Sequence, residues 1–425
     1  MSATAAQADV AIVGGGMVGA SLGLALARTT LRVAIIEPMQ PGDGPQPSFD
    51  DRCTALANGS RQMLDTLGAW AAIAPSAAAI ETIHVSDAGR FGSARIDAAA
   101  LRLQALGYTA PNRAIGAALW QALRAHPQVQ VIAPARVVDA AAGSDSVRLR
   151  LQTGGALDAG GGAGAATQWL DARLAVAADG DRSLVRERAG LGATEVDHAQ
   201  VAIVANVAAE RRAAGTAYER FGAAAGPIAL LPRPDGHYTV VWSAQREQAQ
   251  ALMQQGDDGF LAELQQAFGW RVGAFTRVGR RAGYPLQLRR ATRLAGPRTA
   301  LVGNAAQSLH PVAGQGFNLG LRDAAALAEL LGAAADDGTD PGSGALLARY
   351  EQQRRQDRDG MIAFTDGLVR LFALSFPGAA SLRSAGLLLF DALPAAKRAL
   401  SGVSWGFGAR TPQLLRGLRG AGTHR

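Results

Sequence analysis

The amino-acid sequence predicts an α/β fold, in which a Rossmann-like domain carries an inserted, mainly β domain and is followed by a helical C-terminal segment. Three observations support this prediction. Residues 9–38 form a complete βαβ pattern, residues 198–290 are dominated by β patterns, and residues 299–306 contain an apolar strand that returns to the first domain. A chain of 425 residues is long enough for two or three hydrophobic cores.

The first element is the βαβ unit DVAIVGGGMVGASLGLALARTTLRVAIIEP. VAIV predicts a buried strand, GGGMVG a turn, ASLGLALART a helix and RVAIIE a second strand. Gly14, Gly16 and Gly19 form G-x-G-x-x-G, and Glu37 ends the second strand. In this pattern the glycines make a tight turn, let the backbone approach a pyrophosphate and let the helix pack closely, while the acid accepts ribose hydroxyls. We therefore expect dinucleotide binding rather than a structural glycine turn.

The next segments give a strand–turn–helix and then a sheet. RLAVAADGDRSLVRERAG, residues 173–190, predicts a strand that ends at Asp179 and a helix with Ser183 in its first turn. Alone, this segment is equally compatible with an ordinary strand–turn–helix. From 198 to 290 the pattern is β, with helix only around 245 to 268. This region predicts an inserted sheet that forms one wall of a pocket.

A neutral loop follows the strand TALVGNAA. Its sequence, GNAAQSLHPVAGQGFNLG at residues 303–320, contains no Lys, Arg, Asp or Glu, and we expect an Ala/Leu helix to begin at about Gly320. Backbone N–H groups at a helix start stabilise developing negative charge. Gly314, Gly316 and Gly320 would let this backbone approach a flat ring. In a flavin protein, such a loop would face the pyrimidine edge of the reduced ring.

Composition excludes several classes of protein. Cys53 is the single cysteine, and no Cys/His cluster has metal-ligand spacing, so we expect neither a disulfide nor a metal site. The first residues, MSATAAQA, lack the basic region of a secretory signal, which favours a cytoplasmic location. The basic residues are not interleaved with stacking aromatics, so we expect no nucleic-acid partner.

The formal net charge of +7 is concentrated at the C-terminal end. From Gly367 onward the chain has eight Arg and Lys residues and one acid, Asp391. Apolar segments lie among these charges, but Arg383 and Pro377 interrupt any stretch long enough to span a bilayer. Two interpretations remain open. The segment lies peripherally on the inner face of an anionic membrane, or it forms a helical layer on the body of the protein with solvated arginines outside.

Three motifs in this order resemble those of the class A flavoprotein aromatic monooxygenases. They are G-x-G-x-x-G with Glu37, AADGDRSLVR at 177–186, and GNAAQSLHPVAGQGFN at 303–318. Other segments look most like the ubiquinone-biosynthesis branch of that family. The resemblance implies a para-hydroxybenzoate hydroxylase-like fold. Its implied division is an FAD-binding domain at 1–80, 111–195 and 293–366, substrate-domain parts at 81–110 and 196–292, and basic C-terminal helices at 367–425.

The resemblance also implies a set of FAD-binding residues. Gly14, Gly16, Gly19 and Glu37 would hold the ADP half, while Arg52 and Arg113 would line the outer side of the flavin and the pyrophosphate. Asp179 would touch the flavin and the path of the nicotinamide donor. Asn304, where the wider family has Asp, would hold the ribityl and phosphate region. The residues implied at the pyrimidine edge are Gly314, Gln315, Gly316 and Asn318.

The activity implied by the resemblance is hydroxylation of the aromatic ring of a polyprenylated methoxyphenol in ubiquinone biosynthesis. NAD(P)H would reduce FAD, O2 would be captured as a flavin C4a-hydroperoxide, and its distal OH would pass to the ring. A monooxygenase of a soluble aromatic and a non-catalytic flavin-bound subunit of a biosynthetic complex are the open alternatives. His310 is the candidate catalytic base, with a structural histidine before Pro311 as the competing interpretation.

Overall fold

The structure is a computed structural model that describes residues 6–40, 52–154, 166–222, 226–309, 314–373, 379–393, 397 and 412–416. Within these residues the chain has the predicted α/β fold. His310 and parts of the predicted C-terminal helical segment lie outside the described residues.

The strands, in chain order, are β1 (Ala6–Val13), β2 (Val33–Ile36), β3 (Cys53–Ala57), β4 (Ala78–Ile80), β5 (Thr82–Asp87), β6 (Ser93–Asp97), β7 (Gly107–Pro111), β8 (Val129–Ile132), β9 (Ala135–Ala142), β10 (Val147–Thr153), β11 (Ala166–Ala177), β12 (Ala193–Ala209), β13 (Thr216–Phe221), β14 (Ile228–Pro232), β15 (Tyr238–Gln245), β16 (Phe275–Val278), β17 (Ala282–Ala291), β18 (Ala295–Gly296), β19 (Thr299–Leu301) and β20 (Gln307–Ser308). The α-helices are α1 (Met17–Leu26), α2 (Asn58–Thr66), α3 (Trp70–Ile73), α4 (Asn112–Arg124), α5 (Leu184–Arg188), α6 (Arg246–Gln254), α7 (Asp257–Phe268), α8 (Gln315–Asp336), α9 (Gly344–Ala373) and α10 (Ala379–Ala392). Short 3-10 turns lie at Ala74–Ser76, Ala99–Leu101, Gly303–Ala305 and Gln413–Arg416.

The first sheet has the order β18-β19-β11-β1-β2-β8, with β10 and β9 joined to it beside β11. Its central pairs β19–β11, β11–β1, β1–β2 and β2–β8 are parallel. Strands buried on both faces carry continuous apolar runs, and all four residues of VAII in β2 are buried. Helices α1, α4 and α8 pack on this sheet's core, so the βαβ unit predicted at residues 9–38 forms as expected.

The second sheet has the order β20-β17-β12-β15-β14-β13-β5-β6, with β16 beside β12. Side chains alternate between its two faces. On one face, Tyr238 and Trp242 pack on Phe260, Leu264 and related residues of α7. The opposite face of this sheet forms one wall of a cavity. At the β6 edge of the sheet, α10 packs against β6 and β5. A third, small sheet has the order β3-β7-β4. Its strand β3 contacts α8, and its strand β4 contacts β14 of the second sheet.

The structure corrects the predicted start of the helix after the neutral loop. Helix α8 begins at Gln315 rather than at about Gly320. Gly320 lies inside the helix, where an added Cβ would come within 2.8 Å of Val18 Cγ2 and 3.1 Å of Gly303 Cα. This glycine therefore permits close packing of α8 on the first domain, and the sequence pattern mistook it for a loop glycine. None of the described helices is long and apolar enough to cross a membrane.

Candidate functional site

A cavity of about 1040 Å³ lies between the carboxyl end of the first sheet, the small sheet and the open face of the second sheet. Ligands bind α/β sheets outside the carboxyl ends of their strands. The part beside the first domain is lined by polar side chains and glycine backbone. These residues are Gly16, Arg52, Thr54, Asn112, Gly180, Asn304, Ser308, Gly314, Gln315 and Gly316. The part beside β5, β6 and α10 is almost entirely apolar.

The glycine turn between β1 and α1 borders the polar part of the cavity. Gly14 has φ 104°, and a Cβ there would collide with the carbonyl oxygen of Ala178. A Cβ on Gly19 would collide with the carbonyl oxygen of Gly14, so the first turn of α1 lies directly against β1 and β11. Gly16 precedes α1, whose first turn contains no acid and whose start has no side-chain cap. The N–H groups at this helix end are therefore available to an anionic ligand.

Glu37 lies beside that turn. Its Oε2 accepts a hydrogen bond from the backbone N–H of Gly15 at 2.7 Å, and its Oε1 accepts one from Met39 at 3.1 Å. Burial raises the pKa of the Glu37 carboxyl, and these two hydrogen bonds lower it by less. The carboxyl is thus held toward the glycine turn, and each oxygen keeps a second lone pair that can accept a ribose hydroxyl.

Asp179 lies just after β11, between the cavity-lining Ala178 and Gly180. Its Oδ2 accepts a hydrogen bond from Val185 N at 3.4 Å, but its Oδ1 is buried without a hydrogen-bond partner. Burial raises the pKa of the Asp179 carboxyl. A buried oxygen without a donor is rare in folded proteins and indicates a group that binds there. The position fits a flavin-bearing cofactor that brings its own donors.

The start of α8 provides the clearest space for a ligand. Gly314 is the left-handed residue before the helix, with φ 60°, and the first turn contains no acid. A Cβ on Gly316 would meet no described atom within 4 Å. Glycine inside a helix costs about 1 kcal/mol relative to alanine, and the packing of the described residues does not require it at this position. A flat ring against this backbone gives a reason for it, so the residues present fit FAD.

The side chain of Asn318, a residue that the resemblance places at the pyrimidine edge, is held by hydrogen bonds within the protein. Its Nδ2 donates to the carbonyl oxygens of Ala55 at 2.8 Å and Gly314 at 3.0 Å, while its Oδ1 accepts from Ala57 N and Ser60 Oγ at 2.9 and 2.7 Å. The side chain is buried, and all of these bonds are within the protein. Asn318 therefore fastens the start of α8 to β3 and α2.

Of the remaining predicted residues, two line the cavity and one does not. Asn304 lies in the 3-10 turn Gly303–Ala305 and lines the cavity. Arg52 also lines it, with its guanidinium carbon 4.2 Å from the ring centroid of Tyr284. Arg113 is exposed on α4 and is absent from the described cavity lining, although its neighbour Asn112 belongs to it. The structure thus brings together Gly16, Arg52, Asn304, Gly314, Gln315 and Gly316 on one cavity.

One residue that organises the loop was not predicted. Asp323 of α8 is fully buried, and its Oδ1 accepts from Arg354 Nε at 2.7 Å. Its Oδ2 accepts from Gly303 N at 3.1 Å and Gln307 Nε2 at 2.7 Å. Burial lowers the pKa of Arg354, but the Asp323 and Asp357 carboxylates outweigh burial and raise it. An acid close to the start of an Ala/Leu helix was the available sequence signal, and it did not indicate these partners.

This fold and site define an FAD-dependent aromatic monooxygenase. Residues 7–365 match the family described as "FAD binding domain", and the chain belongs to that family. FAD is its cofactor.

Among curated proteins, a ubiquinone hydroxylase from Rhodospirillum rubrum is 39% identical over 415 residues, which cover 97% of this chain and 93% of the relative. The 3-demethoxyubiquinol 3-hydroxylase of Escherichia coli is 32% identical over 393 residues, covering 92% and 96%. Of the solved structures, p-nitrophenol 4-monooxygenase from Pseudomonas putida DLL-E4 has a TM-score of 0.77 at 21% identity and covers 96% of this chain and 100% of its own. The chain is thus a member of the ubiquinone-biosynthesis hydroxylase family with the aromatic-hydroxylase fold.

Proposed function

We propose that the protein hydroxylates the aromatic ring of a polyprenylated phenol in ubiquinone biosynthesis. The apolar extension of the cavity is the observation that carries this proposal. Beyond the polar part, the cavity continues between the second sheet and α10. The apolar side chains that line this extension are Ile83, Val85, Ile96, Phe221, Leu382, Leu387 and Phe390. A small soluble phenol has no group to fill this space, whereas a prenyl chain buries apolar surface along it.

The residues that line the cavity indicate what the cofactor and the protein would each contribute to the reaction. When bound and reduced, FAD would supply the electrons that activate O2, and one atom of that O2 would be transferred to the ring. Residues of the chain bind the cofactor through glycine backbone and Glu37, and they orient the phenol at the polar part of the cavity. Val204, Val241 and Leu231 of the second sheet form an apolar wall that excludes water from the reacting groups.

We further propose that the prenyl chain enters from a membrane. Leu382 lines the cavity and is also 66% exposed, so the apolar extension reaches the surface at α10. Leu389 lies seven residues further along α10, on the same side of the helix, and is exposed as well; Leu393, just after the end of α10, is also exposed. Phe91 is 75% exposed, and the adjacent Gly92 packs directly on Ser384 of α10. We call Phe91, Leu382, Leu389 and Leu393 the α10 patch.

The α10 patch suits peripheral contact with a lipid surface. Large exposed apolar side chains that share one face mark an interaction site, and shallow insertion of such a face holds a protein at the bilayer boundary. Arg383, on the same helix, is held inward by Asp87, whose side chain is 1% exposed, at 3.1 Å. This ion pair fixes α10 on the hairpin of β5 and β6 and keeps the patch facing outward.

The substrate proposal is tested with a matched pair of phenols. FAD-loaded protein is given NAD(P)H, O2 and either a prenylated methoxyphenol or the same phenol without its chain. We expect the chain to raise kcat/KM by about a hundredfold or more, since each buried CH2 contributes about 0.8 kcal/mol. Leu387→Asn should raise KM for the prenylated phenol alone. Leu388→Asn, at an exposed position outside the cavity lining, is the control. Equal kcat/KM values would favour a soluble aromatic substrate instead.

Membrane contact is tested separately by sedimentation with phosphatidylglycerol vesicles. We expect the wild type to sediment with the vesicles, and Leu389→Glu to remain in the supernatant because it places a charge in the α10 patch. Trp270→Glu changes a residue that is 69% exposed and lies outside the patch, and it should sediment normally. A wild type that stays in the supernatant, or equal loss in both variants, would contradict this part of the proposal.

A further inference from the structure

We propose that the cavity holds only the first isoprene units of the prenyl chain, and that the rest of the chain leaves the protein through a gap at Gly386 of α10. Gly386 is thereby a residue that determines which chain lengths the enzyme accepts. The inference rests on the proposed function, because it requires a prenylated phenol in the cavity.

The cavity is too small to enclose a long prenyl chain together with the other groups. Its volume is about 1040 Å³. Pockets of about 300–1000 Å³ typically enclose a single drug-sized ligand. This cavity has to receive the flavin ring at the start of α8 and the phenol as well as the chain. Only a short part of a polyprenyl chain therefore fits inside, and the remainder has to pass out through the surface.

Helix α10 turns one face to the cavity. The residues of α10 that line the cavity are Leu382, Arg383, Gly386, Leu387 and Phe390. Residues with this spacing share one side of a helix. Arg383, Leu387 and Phe390 are half-buried, whereas Leu382 and Gly386 are exposed. Because Leu382 and Gly386 both line the cavity and are exposed, the cavity meets the surface along this edge of α10.

A gap lies beside Gly386 in this face of α10. A Cβ on Gly386 would meet no described atom within 4 Å. Leu382 precedes Gly386 by four residues and Phe390 follows it by four, so the three lie in one row along the helix, yet neither neighbouring side chain reaches into the gap. Glycine inside a helix is less favourable than alanine, and no described contact of α10 requires it here. A chain that passes beside Gly386 gives a reason for the glycine.

Contacts on either side of Gly386 hold α10 in place. Toward the start of the helix, a Cβ on Gly92 would lie 2.4 Å from Cα of Ser384, so the hairpin of β5 and β6 packs directly on the helix backbone. Toward its end, Asp391 Oδ1 accepts a hydrogen bond from Arg95 N of β6 at 2.8 Å. With the helix fixed at both points, the side chain at position 386 decides how wide the gap is.

The surface around the gap is apolar. Leu371, near the end of α9, lines the cavity and is 46% exposed, and Leu382 of α10 is 66% exposed. Arg383 also lines the cavity, but its Nε is held by the buried Asp87 at 3.1 Å. An isoprenoid chain can therefore cross this surface without separating a charged group from its partner or from water.

The first test asks whether the far end of the chain lies outside the protein. Oxidised, FAD-loaded protein is titrated with methoxyphenols that carry one or four isoprene units, each with and without a terminal sulfonate, and binding is followed by the change in flavin absorbance. On the four-unit chain the sulfonate lies in water, so we expect both forms to bind with the same Kd. On the one-unit chain the sulfonate would be buried without a partner, and we expect it to weaken binding by about a hundredfold or more.

The second test changes the gap itself. Gly386→Leu fills the space beside the helix and should lower the affinity for the four-unit chain, relative to the one-unit chain, by about tenfold or more, which is the value of two buried CH2 groups. Ala385→Leu adds the same side chain at an adjacent exposed position outside the described cavity lining, so it is the matched control and should keep the wild-type ratio. The FAD content, read from the flavin absorbance, confirms that both variants are folded.

The possible outcomes separate this inference from the proposed function. If the plain four-unit phenol binds and its sulfonate does not, the chain ends inside the protein and the inference is overturned. It is also overturned if Gly386→Leu and Ala385→Leu show the same ratio of affinities. If the wild type binds none of the prenylated phenols, the proposed function fails instead.

Discussion

Replacing Asp323 by Asn tests how the neutral loop is held in place. The side chain of Asp323 is 0% exposed and accepts three hydrogen bonds, from Arg354 Nε, Gly303 N and Gln307 Nε2. Asparagine has nearly the same shape, but it carries no charge, and one of its two ends becomes an NH2 group that cannot accept. At least one of the three donors therefore loses its acceptor.

The expected loss of stability can be worked from these contacts. Removing one partner of a buried ion pair costs about 3–5 kcal/mol, because the other charge is left uncompensated. Arg354 keeps a second carboxylate, Asp357, which places its share at the lower end of this range. An unsatisfied buried donor adds about 1–3 kcal/mol. We expect Asp323→Asn to lower the free energy of unfolding by about 4 kcal/mol and to weaken FAD binding through the Gly303 turn.

The assay is urea unfolding of the FAD-loaded protein, followed by circular dichroism and by flavin fluorescence. Asp336→Asn is the matched control, since it makes the same change at an exposed position of α8. Surface substitutions of this kind usually change stability by no more than about 0.5 kcal/mol. If Asp323→Asn and Asp336→Asn unfold at the same urea concentration with the same FAD content, the assignment of Asp323 as the anchor of the loop is refuted.

Three further outcomes follow from local geometry. Gly19→Ala should eliminate bound FAD, because its Cβ collides with the carbonyl oxygen of Gly14. Gly360→Ala on α9, where a Cβ meets no described atom within 4 Å, should retain FAD. Full flavin absorbance in Gly19→Ala would contradict this prediction. Gly316→Leu should leave the Tm of the FAD-free protein unchanged and abolish FAD binding, since its side chain has space only in the cavity, and a fall in both would assign Gly316 to the fold. Burial raises the pKa of the Cys53 thiol, and hydrogen bonds from Thr239 and Arg233 lower it by less, so its alkylation by iodoacetamide at pH 8 should be slower than that of glutathione and should increase as pH rises further. Alkylation of the folded protein at the glutathione rate would contradict the burial of this thiol.

Parts of the molecule that depend on neighbours in sequence were predictable. The βαβ unit is one example, because its apolar runs and its glycines at 14, 16 and 19 all lie within one short segment, residues 9–38. The inserted sheet is another, since period-2 alternation is itself a local pattern. Both were identified without knowledge of the tertiary structure.

Contacts between distant residues were not predictable in the same way. The amide oxygen of Asn318 accepts hydrogen bonds from Ala57 and Ser60, which are 261 and 258 residues away in the sequence, and no local pattern predicts these bonds. Gly320 indicated a loop, although the structure uses it where α8 crosses close to Gly303. In each case the decisive information is which surface the residue meets, and local pattern does not contain it.

The neutral loop and its buried charges together determine the electrostatics of the site. Acids close to the start of α8 would cancel the partial positive charge of its N–H groups, and residues 303–320 contain none. The charge needed to hold the loop is placed behind it instead, at Asp323, where Arg354 compensates it at 2.7 Å. The loop is thus anchored by Asp323, and because Arg354 compensates this charge, Asp323 adds no net negative charge beside the cavity. A ring that gains negative charge against Gly314 and Gly316 is therefore stabilised by the helix end, which is what the reduction of a flavin at this position requires.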